Sequence, residues 1–428
     1  MKKPSFLIFI LLCVAAVNVN AEPMVLDRDT CLSLAEKQNP DLLNSHISLE
    51  TARRESASSW NVLMPSVTAD ARLSVSSPIS QSGSGTPWLS TGAGVSIGFT
   101  AGLADRIRQL KLEFDSATLT HDDLRRSLLS AVETQFYYLL TSRSNLEIRQ
   151  RNIDLANNLY EQTKVKFDNG LAPELDVLQA RVNAANLIPA YQSLKAEYAT
   201  NLKEFLLVLG VDPMTEVELK GSVEIDEVGL NARELIDGHL ENRADIQTQE
   251  NVIAAQESSL RQLKLNSYLP SLGASAGVSN SYDTNTWSSA GEPTASFSLS
   301  VSMNFTNYFP GTEAYLRIKA TEDSIAIAQR RLSSIREEAS LEISNLVNSI
   351  ETDAERIRIS ELNLELSEHA YEMTQIAFSR GKTSRMNLDD SQQDLLVAQQ
   401  NLLESKFQYR KDIIALKLAL GLDLGDEL

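Results

Sequence analysis

Cysteine is almost missing from this chain. Of two in 428 residues, Cys13 falls in an N-terminal leader and Cys31 stands alone behind it. No intramolecular disulfide framework is available, so stability must come from packing or assembly. Cys13 follows Leu11 and Leu12, which do not suit the small-residue pattern of a lipid-anchored leader. Long apolar runs are missing too. No later segment approaches ~20 consecutive apolar residues, which excludes a membrane-spanning helix in the mature chain. The run from Phe6 to Val17 is too short to span; preceded by Lys2 and Lys3 and followed by Val19-Asn20-Ala21, it reads as a secretory signal peptide over residues 1–21. Basic residues are outnumbered 39 to 57, a formal charge of −18, which argues against nucleic acid or an anionic membrane surface as partner. The histidines His46, His121, His239 and His369 are spread singly along helical segments, with no second histidine at ligand spacing, so neither a metal site nor any cofactor is expected.

Glycine and proline are absent from two stretches, between Gly102 and Gly170 and between Gly311 and Gly381. Each can be one unbroken helix of roughly 100 Å, against about 11 residues for an ordinary globular helix. The stretches are copies: Tyr160, Glu161, Thr163, Phe167 and Gly170 recur as Tyr371, Glu372, Thr374, Phe378 and Gly381, and Leu209, Gly210 and Asp212 recur as Leu420, Gly421 and Asp423. The offset is constant (371 − 160 = 211; 423 − 212 = 211). The mature chain, 22–428, is therefore one duplicated unit, with repeat one over 22–213 and repeat two over 231–424.

Before each rod the period changes from 3.6 to 2. Val67, Ala69, Ala71, Leu73 and Val75 alternate with polar residues, a Ser/Gly-rich loop follows, and Leu89 to Phe99 alternates again. In the second copy Leu272, Ala274, Ala276 and Val278 alternate, then Ala295, Phe297, Leu299, Val301, Met303 and Phe305 are separated by Ser296, Ser298, Ser300, Ser302 and Asn304. These are two hairpins, about 66–101 and 271–307, each with an apolar and a polar face. Lipid is the cover available to the apolar face, since the helices are committed to rods. Aromatics flank the strands, Trp88, Tyr282 and Trp287 on the loop side and Phe305, Tyr308 and Phe309 on the helix side, as at bilayer interfaces. Four strands cannot close a membrane barrel, and an open edge cannot survive in hydrocarbon. Two to four copies must therefore pool their strands. On this reading an arginine at a mid-membrane position of the apolar face, Val301 for example, costs ~2–4 kcal/mol, whereas Ser298 and Ser300 tolerate it.

The other segments fit helices beside the rods: Pro40 to near Pro65, Asn242 to Leu269, Pro173 to Leu209 and Ser384 to Leu420. Gly170 and Gly381 stop the rods. Pro189 is expected to kink its helix. Leu124, Leu128, Val132 and Phe136 show the spacing of coiled-coil packing, and Val211 to Asn231 reads as an irregular outer element.

Asn39-Pro40-Asp41-Leu42 with its echo Asn242-Arg243-Ala244-Asp245-Ile246, Met64-Pro65-Ser66 with Leu269-Pro270-Ser271, and the turns at Gly170 and Gly381 together resemble the TolC-type outer membrane efflux proteins. The resemblance covers nearly all of the mature chain. It implies a mainly α fold with a membrane β-barrel: a homotrimer whose four strands per chain pool into twelve, continued by a long coiled-coil tunnel in the periplasm of a Gram-negative cell. It also implies a non-enzymatic exit duct of a tripartite efflux or type I secretion system, seated in outer-membrane lipid, working with a periplasmic adaptor and an inner-membrane pump to pass small toxic molecules or proteins. The family's acidic entrance positions correspond to Asp176 in copy one and to Asn387 and Asp390 in copy two; Asn387 departs from the acidic pattern. Asp389, about 100° round the helix from Asp390, is expected to be a neutral control. Adaptor docking is expected at the two turns, on Gly170, Leu171, Gly381 and Lys382.

Two other readings compete. Gly94-Val95-Ser96-Ile97-Gly98 matches the nucleophile elbow of a serine esterase, which requires a strand-to-helix turn in a sheet of many strands; Ser96 belongs instead to the polar face of a strand. A surface-located helical stalk or adhesin would use long rods, but has no role for paired hairpins.

Overall fold

The computed structural model describes residues 24–76, 86–225, 229–284, 286–289 and 292–426; the expected signal peptide and the loop of the first hairpin lie outside them. In chain order the elements are β1 (Met24–Leu26), α1 (Arg28–Gln38), α2 (Pro40–Ala57), β2 (Ser66–Ser76), β3 (Thr86–Phe99), α3 (Leu103–Asp168), α4 (Glu174–Val208), β4 (Val217–Leu219), α5 (Ala232–His239), α6 (Ala244–Tyr268), β5 (Ser271–Asp283), β6 (Ser288–Ser289), β7 (Thr294–Ser302), α7 (Glu313–Ser379) and α8 (Arg385–Ala419).

The two expected rods are α3 and α7, of 66 and 67 residues, each ~100 Å long at 1.5 Å per residue. Neither contains a residue that removes a backbone donor or relaxes the backbone, so nothing interrupts the hydrogen-bond ladder. At one end of the rods α2 and α6 run beside α3 and α7; towards the other, α4 pairs with α3 and α8 with α7. Pro189 lies inside α4, which continues unbroken across it.

The hairpins form one sheet in the order β2-β3-β5-β7, antiparallel throughout, with short β6 on the end of β5. Register puts Val67, Val95, Ala276 and Phe297 in one row across the sheet and Ser66, Ser96, Ser275 and Ser298 in the next. Successive residues point to opposite faces, so the rows separate into an apolar and a polar side. Hydroxyls pair along the polar side, Ser66 with Ser96 at 2.7 Å and Ser275 with Ser298 at 2.8 Å. On the apolar side Phe297 is 78% exposed. Among the described residues no helix covers that face, and β2 and β7 each have a free edge. The last strand is shorter than its alternation suggests. It ends at Ser302, because Asn304 caps a 3₁₀ turn, Phe305–Tyr308, by accepting from the Thr306 amide at 3.1 Å; Met303 and Phe305 lie beyond the sheet. Val301 therefore shares a row with Leu272 and Phe99 at the helix-side end of the sheet, and is not at its middle.

The main core lies at a waist partway along the rods. Val132, Phe136, Leu139 and Leu140 of α3 meet Leu26, Cys31, Phe205, Leu206, Leu209 and Leu219 in one cluster, and Ile343, Val347 and Ile350 of α7 meet Ile413, Leu416 and Leu420 in its counterpart. Burying each large side chain contributes about 1.5–3 kcal/mol. The segment after Val211 is more ordered than expected: β4 pairs in parallel with β1, and Leu26 and Leu219 are buried. Three residues cannot signal a strand by alternation, and the pairing bridges nearly 200 positions. Burial pushes the Cys31 thiol up to about 12.

At this level the repeat motifs meet. Asn39 caps α2, accepting from the Asp41 and Leu42 amides, and its own amide donates to the Val208 carbonyl at 2.8 Å. In the second copy Arg243 performs the outward bond, donating to the Ala419 carbonyl at 2.9 Å. Gly210 adopts φ +75 against residue 38: a Cβ there would lie 2.5 Å from the Gln38 carbonyl oxygen. The core also holds a charge. Glu133, 2% exposed, accepts from Arg28 Nε at 2.7 Å, with Arg410 Nη2 at 3.6 Å, and Arg410 lies over the Tyr137 ring. That hydrogen bond holds the Arg28 guanidinium above its ordinary range.

Candidate functional site

Both rods end far from the sheet in the same turn. Gly170 has φ +74, its amide donates to the Phe167 carbonyl at 2.8 Å, and the Leu171 amide donates to Lys166 at 2.7 Å. Gly381 has φ +70, its amide donates to Phe378 at 3.0 Å, and Lys382 donates to Ala377 at 2.9 Å. The double bond satisfies carbonyls that a helix end leaves orphaned, and the left-handed residue that closes it favours glycine. At either glycine an added Cβ would meet nothing within 4 Å. Leu171, 79% exposed, and Lys382 form the outer surface of the tips.

A buried arginine ties the two tips together. The Arg385 side chain is 8% exposed; its Nε pairs with Asp389 at 3.3 Å and its Nη1 donates to the Asp176 backbone carbonyl at 3.0 Å. Asn183 Nδ2 donates to the other Asp389 oxygen at 3.4 Å, and the Lys166 ammonium sits 5.3 Å from the Phe378 ring centroid. Asp389 is thus a structural acid and no neutral control: Arg385 stands four residues before it on the same helix, a spacing at which side chains meet, whereas Asn183 reaches it from α4, which no local spacing reveals. Asp176 is half-buried, with its carbonyl engaged. Asn387 is exposed and committed locally: its amide N–H donates to the Ser384 hydroxyl at 3.3 Å and its side chain to Thr383 at 3.0 Å. Asp390 is exposed and has no ion-pair partner among the described residues. Of the expected entrance residues, the fold brings Asp176 and the base of α8 together, while Asp390 and Asn387 share the outer surface of that helix.

The tips also carry residues that motif reading passed over. Leu175 and Val182, exposed on α4 four and eleven residues beyond the expected Leu171 (175 − 171 = 4; 182 − 171 = 11), and Met386, exposed on the second tip, extend the apolar surface. That spacing was the available signal for an uncovered apolar face.

Elsewhere, Ser96 lies within β3 and shares a hydrogen bond with the Ser66 hydroxyl. It is not at a strand-to-helix turn, the geometry a nucleophile elbow needs. His46 and His121 are brought together from α2 and α3, ring centroids 5.9 Å apart, with Ser45 Oγ 3.1 Å from His121 Nδ1; their sequence separation hid the pairing. Among the described residues no group of three or more His, Cys, Asp or Glu could hold a metal ion, and no helix is long and apolar enough to cross a membrane.

The chain matches the family model described as outer membrane efflux protein over residues 31–211 and 235–422. It is 22% identical over 393 residues to the probable efflux pump outer membrane protein TtgC of Pseudomonas putida, covering 90% of this chain and 80% of that one. It is 22% identical over 400 residues to the outer membrane protein TolC of Vibrio cholerae, covering 90% and 89%. Among solved structures, the Campylobacter jejuni CmeC outer membrane channel superimposes with a TM-score of 0.78 at 18% identity over 94% of this chain and 87% of that one.

Proposed function

The chain belongs to the outer membrane efflux protein family, and from that membership and the fold we infer that it is the outer-membrane exit duct of a tripartite efflux assembly. One observation carries the reading: a sheet with an uncovered apolar face and a hydroxyl-lined polar face continues through short connections into helices of 66 and 67 residues. Lipid covers the first face and the second borders an aqueous passage. The free edges of β2 and β7 require neighbours inside the membrane. Three copies supply twelve strands and close the barrel, and the same three copies surround the passage with their helices. This is a channel family, and Ser96 is a barrel residue rather than a nucleophile.

The entrance lies at the tips. Around a threefold axis Asp390 contributes one carboxylate per chain, and like charges held close attract cations into the passage. The exposed apolar residues Leu171, Leu175, Val182 and Met386 beside the Gly170 and Gly381 turns offer the periplasmic adaptor a surface, and the adaptor links the duct to an inner-membrane pump. Cargo is small toxic molecules or proteins.

Fractionation combined with export tests the function. The protein is expected in outer-membrane fractions as an oligomer that dissociates on heating in detergent, and its deletion should raise intracellular accumulation of a fluorescent efflux substrate. Recovery as a soluble monomer, with accumulation unchanged by the deletion, would refute the reading.

A further inference from the structure

Where a coiled-coil seam ordinarily carries apolar residues, α7 and α8 enclose a polar groove of about 800 Å³. Asp353 and Asp412 line it, 4% and 9% exposed. Gln408 donates to Asp412 Oδ1 at 2.8 Å, and Arg356 donates to Asp353 Oδ1 at 2.9 Å. The second Asp353 oxygen, Oδ2, is buried without a partner. Burial holds both carboxyls above the usual range, and the Asp353 charge adds to the rise at Asp412. A buried acceptor left without a donor is costly and rare. The groove is half of a site.

The internal duplication identifies the other half. Within the chain, the corresponding face of α3 is already covered by α8: Asn145 bonds Gln400 at 3.0 Å, Asn152 bonds Gln392, and Tyr138 packs on Phe407 with ring centroids 5.9 Å apart. Adding 211 to each α3 residue and subtracting 211 from each α8 residue converts these pairs into Arg356 with Pro189, Asn363 with Arg181, and Ser349 with Ala196. Arg356 and Ser349 line the groove, and Arg181, Pro189 and Ala196 are exposed on α4. Both halves of a second joint are thus present and uncovered, the groove on one flank of the chain and α4 on the other. A head-to-tail joint of this kind closes into a ring when its rotation returns to the first copy. Because the helices run antiparallel, stepping three residues along each from the Arg356–Pro189 pair sets Asp353 opposite Gln192 (356 − 3 = 353; 189 + 3 = 192), which is exposed.

We propose that the groove seats α4 of the next copy of this chain, and that the Gln192 carboxamide of that copy donates the hydrogen bond that Asp353 Oδ2 lacks. The inference rests on the oligomeric duct proposed above and adds to it a register and a donor. The orphaned oxygen is completed only by assembly, so the acid serves as a pairing code between copies rather than as part of the monomer's core.

A double-mutant cycle tests it, read as the fraction of full-length protein that stays oligomeric in detergent on a temperature ramp, with helicity measured in parallel. Gln192→Glu sets a carboxylate against Asp353 and should lower the oligomer fraction. Asp353→Asn should restore it in the double variant, with a departure from additivity of about two- to hundredfold in the oligomer-to-monomer ratio. Gln192→Lys, which keeps a donor, should raise the melting point of the oligomer and gives a readout that does not depend on the glutamate variant folding. A wild-type oligomer with additive effects and no change for Gln192→Lys would overturn the proposed pair and leave the duct reading intact. A wild-type chain that is monomeric by native mass measurement would overturn both.

Discussion

Arginine at Ala276 should block assembly, and the sheet geometry says by how much. From Trp88 to Phe99 strand β3 advances eleven residues (99 − 88 = 11), or about 28 Å of height at ~3.3 Å per residue and ~40° tilt, close to the ~25 Å apolar band of an outer-membrane barrel. Ala276 pairs with Val95, four residues from Phe99 (99 − 95 = 4), which places it about 10 Å inside the helix-side boundary. At that depth a lipid-facing arginine costs roughly 2–4 kcal/mol per chain, about 6–12 for three. Val301, in the boundary row with Phe99 and Leu272, should cost only ~0–1 kcal/mol. Ser298, in the hydroxyl row of the polar face, should tolerate arginine because it meets water. The assay is the yield of heat-modifiable oligomer in outer-membrane fractions for Ala276→Arg, Val301→Arg and Ser298→Arg, normalised to total chain. Falling yield in the order Ser298, Val301, Ala276 is expected. Equal yields for Ala276→Arg and Ser298→Arg would refute the assignment of faces.

The Cβ of Gly381→Val meets no atom within 4 Å, so the main cost should be the left-handed backbone penalty, ~1–2 kcal/mol, leaving a folded duct with impaired export; normal export would count against the tip as a docking surface. Gly210→Val should prevent folding altogether, since its Cβ would lie 2.5 Å from the Gln38 carbonyl, and thermal melts of the two variants separate these outcomes. Glu133→Gln leaves Arg28 and Arg410 facing a neutral partner and should lower unfolding stability by about 2 kcal/mol, less than a fully buried pair because both guanidiniums are partly exposed; denaturant titration that finds no change would show the network is idle. In planar bilayers Asp390→Asn should weaken cation selectivity with the fold unchanged, whereas Asp389→Asn should loosen the Arg385 clamp and change gating; unchanged selectivity in the first variant would remove Asp390 from the passage.

The rods, the hairpins, the two faces of the sheet and the turns at Gly170 and Gly381 were legible from the chain alone. Each is set by local chemistry repeated over enough residues to be read: the absence of helix breakers, alternation at period 2, and glycine where the backbone turns left-handed. The duplication supplied a second copy of every signal. Features built from few residues far apart were not legible. The β1–β4 pair is three residues long on each side, His46 finds His121 only after α2 packs on α3, and Asp389 gains its bond from Asn183 only once the fold brings α4 and α8 together.

Local periodicity thus determined the element types, their order and their exposed faces. Which side chains meet across elements was decided by packing alone, because a hydrogen bond or ion pair between distant residues leaves no period in the sequence. Asn39 and Arg243 make the point from the two repeats: different residues donate to corresponding helix-end carbonyls, Val208 and Ala419. The bond follows from where the folded helices end, whichever donor the sequence supplies.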